Sequence, residues 1–181
     1  MTKIQSVPAA KLAGAAARWA LAAALACAVP AGAAPQDARP LPGFTVTSAA
    51  GAQVPSARFL SGPNRVLVYV TAGTASASAL FDALAAWRLE PAAAGRISVI
   101  VAGPADAIAT LADSPGTPAA GGVAWYADPD GQAGAALGIT GAVTFFGGRD
   151  GAVHWTVGGV LNDPAAYEPV VRAWLGAPAG R

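Results

Sequence analysis

The sequence predicts an α/β domain in which a central mixed sheet is flanked by helices and preceded by a β-hairpin extension. Two uninterrupted apolar runs, residues 66–70 and 97–101, are typical of strands buried on both faces. A helical pattern over residues 76–88 lies between them, and this alternation favours parallel pairing. The glycine-rich segment 147–151 separates two more apolar segments and predicts a closing antiparallel hairpin.

The N-terminal extension is predicted from short alternating segments. Residues 44–47 alternate polar and apolar side chains as a strand does, residues 49–52 favour a turn, and residues 53–55 favour a return strand. Residues 34–42 are polar and rich in proline, which predicts a linker before this hairpin.

The first long helix is predicted from the recurrence of Leu80, Leu84 and Trp87 at the i, i+4, i+7 spacing of one helix face. Either Thr74 or Ser76 has the hydroxyl that can cap its first turn.

Shorter elements follow. Residues 105–111 predict a helix, residues 123–126 a strand, and a brief helix ends at Gly138. Asp128 and Asp130 lie in an Asp-Pro-Asp-Gly segment, which is typical of a turn and favours that interpretation over a cation site.

The chain closes with the predicted strands 143–146 and 152–157 and a final helix. In that helix Asp163 is the expected N-cap, Pro164 the first residue and Gly176 the stop.

Composition limits the class of protein. The 181 residues fit one domain, and the content of 54% hydrophobic and 12% charged residues supports a packed core. Beyond residue 33 the chain carries 8 arginines against 10 carboxylates, a formal charge of −2. A nucleic acid is therefore not expected as a partner.

The N-terminus predicts export. Lys3, Lys11 and Arg18 precede an uncharged apolar run over residues 19–29, and an Ala-x-Ala cleavage site ends at Ala33. This order is the signature of a secretory signal peptide, and the run is shorter than the ~20 residues of a membrane-spanning helix. A retained N-terminal anchor is the alternative.

Cys27 is the only cysteine and lies within this segment. The sequence before it could form a lipoprotein box, in which case a lipid on Cys27 would anchor the mature chain. The favoured interpretation is a small apolar residue of the signal segment. The mature domain then has no thiol and no disulfide.

The ordered set of elements resembles the thioredoxin-like superfamily, in its exported redoxin branch near the peroxiredoxins and the cytochrome c maturation thioredoxins. The resemblance covers about residues 41–175 and depends on four segments: 41–44 with Gly51, 126–131 with 137–141, Asp150-Gly151, and Gly158-Gly159.

Both chemical features of that family are altered in this sequence. The family's Trp-Cys-x-x-Cys turn matches the segment Thr74, Ala75, Ser76, Ala77 and Ser78, so that Ala75 and Ser78 stand where the resemblance implies cysteines. Alanine has no nucleophile, and serine can neither ionise readily there nor form a disulfide.

The family's cis-proline loop matches Ala142, Val143 and Thr144, with Val143 in place of the proline. A cis bond before a non-proline residue costs about 2.5–4 kcal/mol, so a trans bond is expected. The small-residue helix start at 73–78 and this loop together predict a groove that binds a partner.

No other segment predicts a catalytic or metal site. His154 is the only histidine and is expected to be a surface or capping residue. With one histidine and no thiol in the mature chain, neither a zinc site nor a cofactor is expected.

The sequence thus predicts a signal peptide over 1–33, a linker over 34–42, a redoxin domain over 43–176 and a tail over 177–181. The function predicted is a non-catalytic binding or scaffold protein of the bacterial cell envelope, periplasmic, with another envelope protein as partner. The alternatives are a redox role that persists by descent or uses a partner's cysteines, and a lipid-anchored envelope protein of structural role, which would contact the membrane only through Cys27.

Overall fold

Eight strands form one mixed sheet in the computed structural model, which describes residues 38–104, 106, 108, 122–159 and 163–177. The strands are β1 (Arg39–Pro40), β2 (Thr45–Ser48), β3 (Gln53–Pro55), β4 (Arg65–Thr71), β5 (Ile97–Ala102), β6 (Ala124–Asp128), β7 (Val143–Arg149) and β8 (Ala152–Gly159). Among the described residues the α-helices are α1 (Ala75–Ala86), α2 (Pro91–Ala94), α3 (Gln132–Leu137) and α4 (Glu168–Gly176). Two 3₁₀ turns cover Ser56–Arg58 and Pro164–Tyr167.

The strand order is β1-β8-β7-β4-β5-β6-β2-β3. Strands β4, β5 and β6 pair in parallel, and the other pairs are antiparallel. The β2–β3 hairpin extends the sheet through β6, and the β7–β8 hairpin extends it through β4. The predicted mixed α/β sheet with its N-terminal hairpin is therefore confirmed.

Each face of the sheet packs against its own apolar layer. Along β4, Val66, Val68 and Val70 belong to one layer, whereas Leu67 and Tyr69 belong to the other, as the two-residue period of a strand requires. The first layer holds residues of α1, its C-cap Trp87 and residues of α4: Ala77, Leu80, Ala83, Leu84, Trp87, Val171 and Leu175. The second holds residues of the N-terminal region and α3: Phe44, Val46, Phe59, Leu60, Ala133 and Leu137.

The ends of several elements differ from the sequence-based prediction. The predicted linker over 34–42 is ordered at its C-terminal end, since Arg39 and Pro40 pair with β8 and the Leu41 amide donates to Gly151 O at 3.0 Å. Pairing with β8 gives this proline-containing segment the hydrogen bonds that a free linker lacks.

The final helix starts later than predicted. Asp163 does cap the segment, accepting from the Ala165 amide at 3.1 Å, but residues 164–167 form a 3₁₀ turn before α4 begins at Glu168. Pro169 follows directly at the start of α4, where its missing N–H is tolerated. The predicted helix over 105–111 lies mostly outside the described residues, as does the tail beyond residue 177.

Candidate functional site

The start of α1 is built by one threonine. Thr74 Oγ1 accepts a hydrogen bond from the Ala77 amide at 3.1 Å and donates one to Thr71 O at 2.9 Å. Thr74 is therefore the N-cap, and of the two residues predicted for this role, Thr74 and Ser76, the structure selects the first. Ala75 and Ser78 are exposed.

The predicted second segment lies beside the first because β7 pairs with β4. Val143 pairs with Val70 and Thr144 with Tyr69, while Ala142 O accepts from the Thr71 amide at 2.9 Å. No peptide bond among the described residues is cis.

A cleft of about 460 Å³, open to solvent, separates these segments from α3. The residues lining it are Tyr69, Thr71, Thr74, Gly131, Gly134, Ala135, Ile139, Thr140, Gly141 and Ala142. Two of the predicted site residues, Thr74 and Ala142, thus meet in one cleft. Ala75, Ser76, Ala77, Ser78, Val143 and Thr144 do not line it.

The cleft adjoins a buried hydrogen-bonded group that links three elements. Asp128 Oδ2, at the end of β6, accepts from the Tyr69 hydroxyl at 2.9 Å and from the Gly134 amide at 2.9 Å. Asp128 and Tyr69 are only 2% and 4% exposed. The carboxylate therefore holds α3 and β4 together beneath the cleft.

Gly134 is required by this arrangement. A Cβ atom at residue 134 would lie 2.8 Å from Tyr69 Cζ and closer still to the hydroxyl oxygen, which no real side chain tolerates without movement. Because Gly134 has no side chain, the Tyr69 hydroxyl can lie within hydrogen-bonding distance of Asp128.

The ionisation of Tyr69 is suppressed by its surroundings. Burial, followed by the hydrogen bond to Asp128 and the negative charge of that carboxylate, raises the pKa of the Tyr69 hydroxyl well above its usual 10.0. The phenol stays protonated at physiological pH. The lining side chains thus supply hydroxyl groups and apolar surface, with no thiol and no charged group.

His154 lies elsewhere in the fold, on β8, and does not line the cleft. Gly147 pairs with Trp155 and Gly148 with Val153, so His154 is the extra residue of a β-bulge. Its ring centroid is 5.6 Å from that of Trp174. Burial, then the nearby Arg149 charge, lowers the pKa of His154, while Asp150 opposes this effect.

Other kinds of site find little support in the described residues. No group of three His, Cys, Asp or Glu side chains is placed to hold a metal ion there. None of the helices described combines the length and the apolar character needed to cross a bilayer. Cys27 and Ala33, the predicted lipidation and cleavage residues, lie outside the described residues.

Sequence reasoning missed the buried group beneath the cleft. Gly131 N does donate to Asp128 O at 3.4 Å, so the turn interpretation of this segment holds for the backbone. The side chain of Asp128 has a different role, because β6 extends to residue 128 and carries it into the interior. A polar ring among valines, Tyr69 in β4, was the one signal that a buried partner is present.

No family model and no curated protein matches the chain. Solved structures do match it. A Chlorobium tepidum protein described as the thiol:disulfide interchange protein DsbE aligns with a TM-score of 0.54 at 22% identity, covering 79% of this chain and 100% of that one. A secreted Mycobacterium tuberculosis disulfide oxidoreductase homologous to Escherichia coli DsbE aligns with a TM-score of 0.53 at 20% identity, covering 72% and 95%.

The peroxidoxin BcpB from Mycobacterium tuberculosis aligns with a TM-score of 0.59 at 17% identity, covering 78% of this chain and 97% of that one. Identities this low establish the fold and nothing finer. The chain therefore has the thioredoxin-like fold.

Proposed function

We propose that this chain is an exported thioredoxin-like protein that binds a partner through the cleft and does not itself catalyse thiol–disulfide exchange. The observation that carries the proposal is in the sequence: Cys27 is the only cysteine, so no pair of thiols exists in the chain. A dithiol enzyme needs a second thiolate to resolve the mixed disulfide that the first one forms.

The positions that follow the central strand support this proposal. Ala75 and Ser78 occupy the first turn of α1, directly after β4, where the resemblance implies the two cysteines. The redoxin scaffold is retained while its nucleophile is not. A thioredoxin-like fold without thiols at these positions favours a binding role over thiol-dependent catalysis.

The lining of the cleft indicates what kind of partner it takes. Threonine hydroxyls, small residues, one tyrosine and one isoleucine form an open surface without charge, which suits a segment of another protein more than a phosphate or a metal ion. With a formal charge of −2 beyond residue 33, the mature chain is not suited to a nucleic acid. The partner we propose is another protein of the cell envelope.

Redox activity is tested on the purified protein in insulin reduction and peroxide turnover. We expect no activity in either assay. A double variant with Ala75→Cys and Ser78→Cys is the matched control, because it restores thiols on the same helix turn, and we expect it to form an intramolecular disulfide. Turnover by the unmodified protein would overturn the proposal and favour a redox role.

Partner binding is tested by quantitative capture from envelope extract. Thr140→Arg places a long charged side chain at the cleft, and Ala86→Arg places the same side chain at an exposed position of α1 that does not line it. We expect Thr140→Arg to lower capture of the partner about tenfold or more, and Ala86→Arg to leave it unchanged. Equal capture by both variants would exclude the cleft as the binding surface.

Export to the periplasm is part of the same proposal. The mass of the mature N-terminus tests it: a chain that begins at Ala34 supports a cleaved signal peptide. A diacylated Cys27 would instead support the lipid-anchored alternative and contradict release into the periplasm.

A further inference from the structure

The Tyr69 hydroxyl can offer the cleft only an acceptor, because its proton is already used. The hydroxyl donates to Asp128 Oδ2 at 2.9 Å, and a phenol has only one proton to donate. The raised pKa of Tyr69 keeps that proton in place. Whatever reaches the Tyr69 oxygen from the cleft therefore meets an acceptor.

The lone pairs of this oxygen have no described occupant. The Gly134 amide donates to Asp128 Oδ2 at 2.9 Å and not to the Tyr69 oxygen. No other described group donates to the Tyr69 oxygen. Gly134 lies directly against the Tyr69 hydroxyl, and both residues line the cleft, which places this hydroxyl at the wall of the cleft.

The three threonines of the cleft do not discriminate in the same way. Thr74 already donates to Thr71 O and accepts from the Ala77 amide. Thr71 and Thr140 are exposed, and a threonine hydroxyl can rotate to donate or to accept. Tyr69 is thus the lining hydroxyl that can only accept and whose oxygen receives no hydrogen bond from a described group.

Electrostatics acts in the same direction. Asp128 lies directly behind Tyr69, and no lining side chain carries a positive charge. An anionic group beside the Tyr69 oxygen would face both an acceptor and a buried carboxylate, with no positively charged lining side chain to offset them.

We propose that Tyr69 is the specificity-determining residue of the cleft, and that the cleft accepts amide or ammonium groups of a partner, which donate a hydrogen bond to the Tyr69 oxygen, and rejects carboxylates. This inference rests on the proposed function for the occupant being a protein. The chemistry of the site itself can be tested with small probes.

The experiment follows the backbone amide signals of Gly131, Gly134 and Ala135 by NMR while the purified protein is titrated with acetamide, ethylammonium chloride or sodium acetate, three probes of similar size. We expect saturable shifts with acetamide and ethylammonium, and affinity for acetate that is lower by about tenfold or more. Acetate binding as tight as acetamide, or no saturable shift with acetamide, would overturn the proposal.

Tyr69→Phe removes the acceptor and keeps the ring, and Tyr126→Phe, at a tyrosine that does not line the cleft, is the matched control. We expect Tyr69→Phe to weaken acetamide binding about tenfold and Tyr126→Phe to leave it unchanged. If Tyr69→Phe does not fold, Asp128→Asn tests the same point, because loss of the buried charge is expected to reduce the discrimination against acetate. Undiminished discrimination in Asp128→Asn, or undiminished acetamide binding in a folded Tyr69→Phe, contradicts the assignment.

These outcomes are separable from the proposed function. If the probes behave as expected but Thr140→Arg captures the partner normally, the cleft chemistry stands and the proposed use of the cleft fails.

Discussion

Two helices begin at the edge of the cleft, and they are started in opposite ways. Helix α1 begins with a local cap, because the Thr74 side chain accepts from an amide three residues later, near solvent. Helix α3 follows Gly131, which offers no side-chain cap, and its Gly134 amide is satisfied instead by the buried carboxylate of Asp128. That carboxylate also binds Tyr69, which lies 59 residues earlier in the chain.

The cap of α1 is made within its first turn, whereas the cap of α3 depends on tertiary contacts. The side chain that caps α1 hydrogen-bonds Thr71 and Ala77, each three residues away in the chain, so we expect its loss to act mainly on the first turn of α1 and the end of β4. The cap of α3 connects β4, β6 and α3, so that a change in it alters the floor of the cleft. We therefore expect substitutions at the two helix starts to differ in how much stability they remove and in how far from the helix start they alter the structure.

The largest effect is expected for Asp128→Ala. It leaves the Tyr69 hydroxyl and the Gly134 amide buried without an acceptor, and we expect the free energy of unfolding to fall by about 3 kcal/mol. Asp130→Ala, two residues away at an exposed position, is the control and is expected to change stability by less than about 0.5 kcal/mol. Urea denaturation measures both, and equal losses would show that the contacts of Asp128 have no special weight.

Gly134→Ala tests the same buried group, because the sign of its effect on the free energy of unfolding distinguishes two expectations. Helix propensity alone predicts stabilisation by about 1 kcal/mol when alanine replaces glycine in a helix. The added Cβ would instead press on the Tyr69 ring at 2.8 Å from Cζ, so we expect a loss of about 2 kcal/mol. Stabilisation by this variant would mean that Tyr69 can move aside, and the close approach would then not define the cleft.

The buried tyrosine also predicts a pH dependence at the alkaline end. The pKa of Tyr69 is raised in the folded protein, so above pH 10 the unfolded chain releases this proton before the folded protein does. The contribution of Tyr69 is therefore fully present below pH 10 and is lost as pH rises further. We expect thermal unfolding of Tyr69→Phe to show a weaker decline above pH 10 than the unmodified protein, and parallel declines would contradict the shift.

The same contrast explains how much the sequence could predict. Thr74 was one of two predicted caps because an N-cap acts on amides within its own first turn, and the strands of the central sheet follow from runs such as residues 66–70. The cleft between Thr74 and Ala142 was predicted only through the family resemblance that aligned both segments.

Asp128 could not be assigned in this way. Its Asp-Pro-Asp-Gly setting satisfies the rules for a turn, and the backbone does turn there. Its burial depends on the strand extending two residues further than the apolar pattern indicates and on the partner Tyr69 far away in sequence. Sequence patterns describe residues that are close along the chain, whereas the sheet topology brings Tyr69 and Asp128 together, so no sequence pattern predicts this contact.

At the start of α1 a smaller effect on stability is expected. Thr74→Ala removes the acceptor for the Ala77 amide, and the free energy of unfolding is expected to fall by about 1 kcal/mol. Ser76→Ala, the cap that the sequence offered as the alternative, is the matched control and should change stability by less than about 0.5 kcal/mol. A larger loss in Ser76→Ala than in Thr74→Ala would reverse the assignment of the cap.

At their C-terminal ends the two helices differ in backbone strain: α1 is followed by a strained residue and α3 is not. Here the expected effect on stability is smallest. Helix α3 ends at Gly138 with φ of 68°, a left-handed conformation that glycine adopts without strain, whereas Arg88 follows α1 with φ of 44°. Arg88→Gly should remove this strain but add freedom to the unfolded chain, and we expect a net gain of about 0.5 kcal/mol. Arg88→Ala keeps a Cβ at the same backbone position and should not gain stability, so calorimetry of the two variants separates relief of strain from loss of the exposed arginine. If Arg88→Ala is stabilised as much as Arg88→Gly, the charge and not the backbone limits this end of α1.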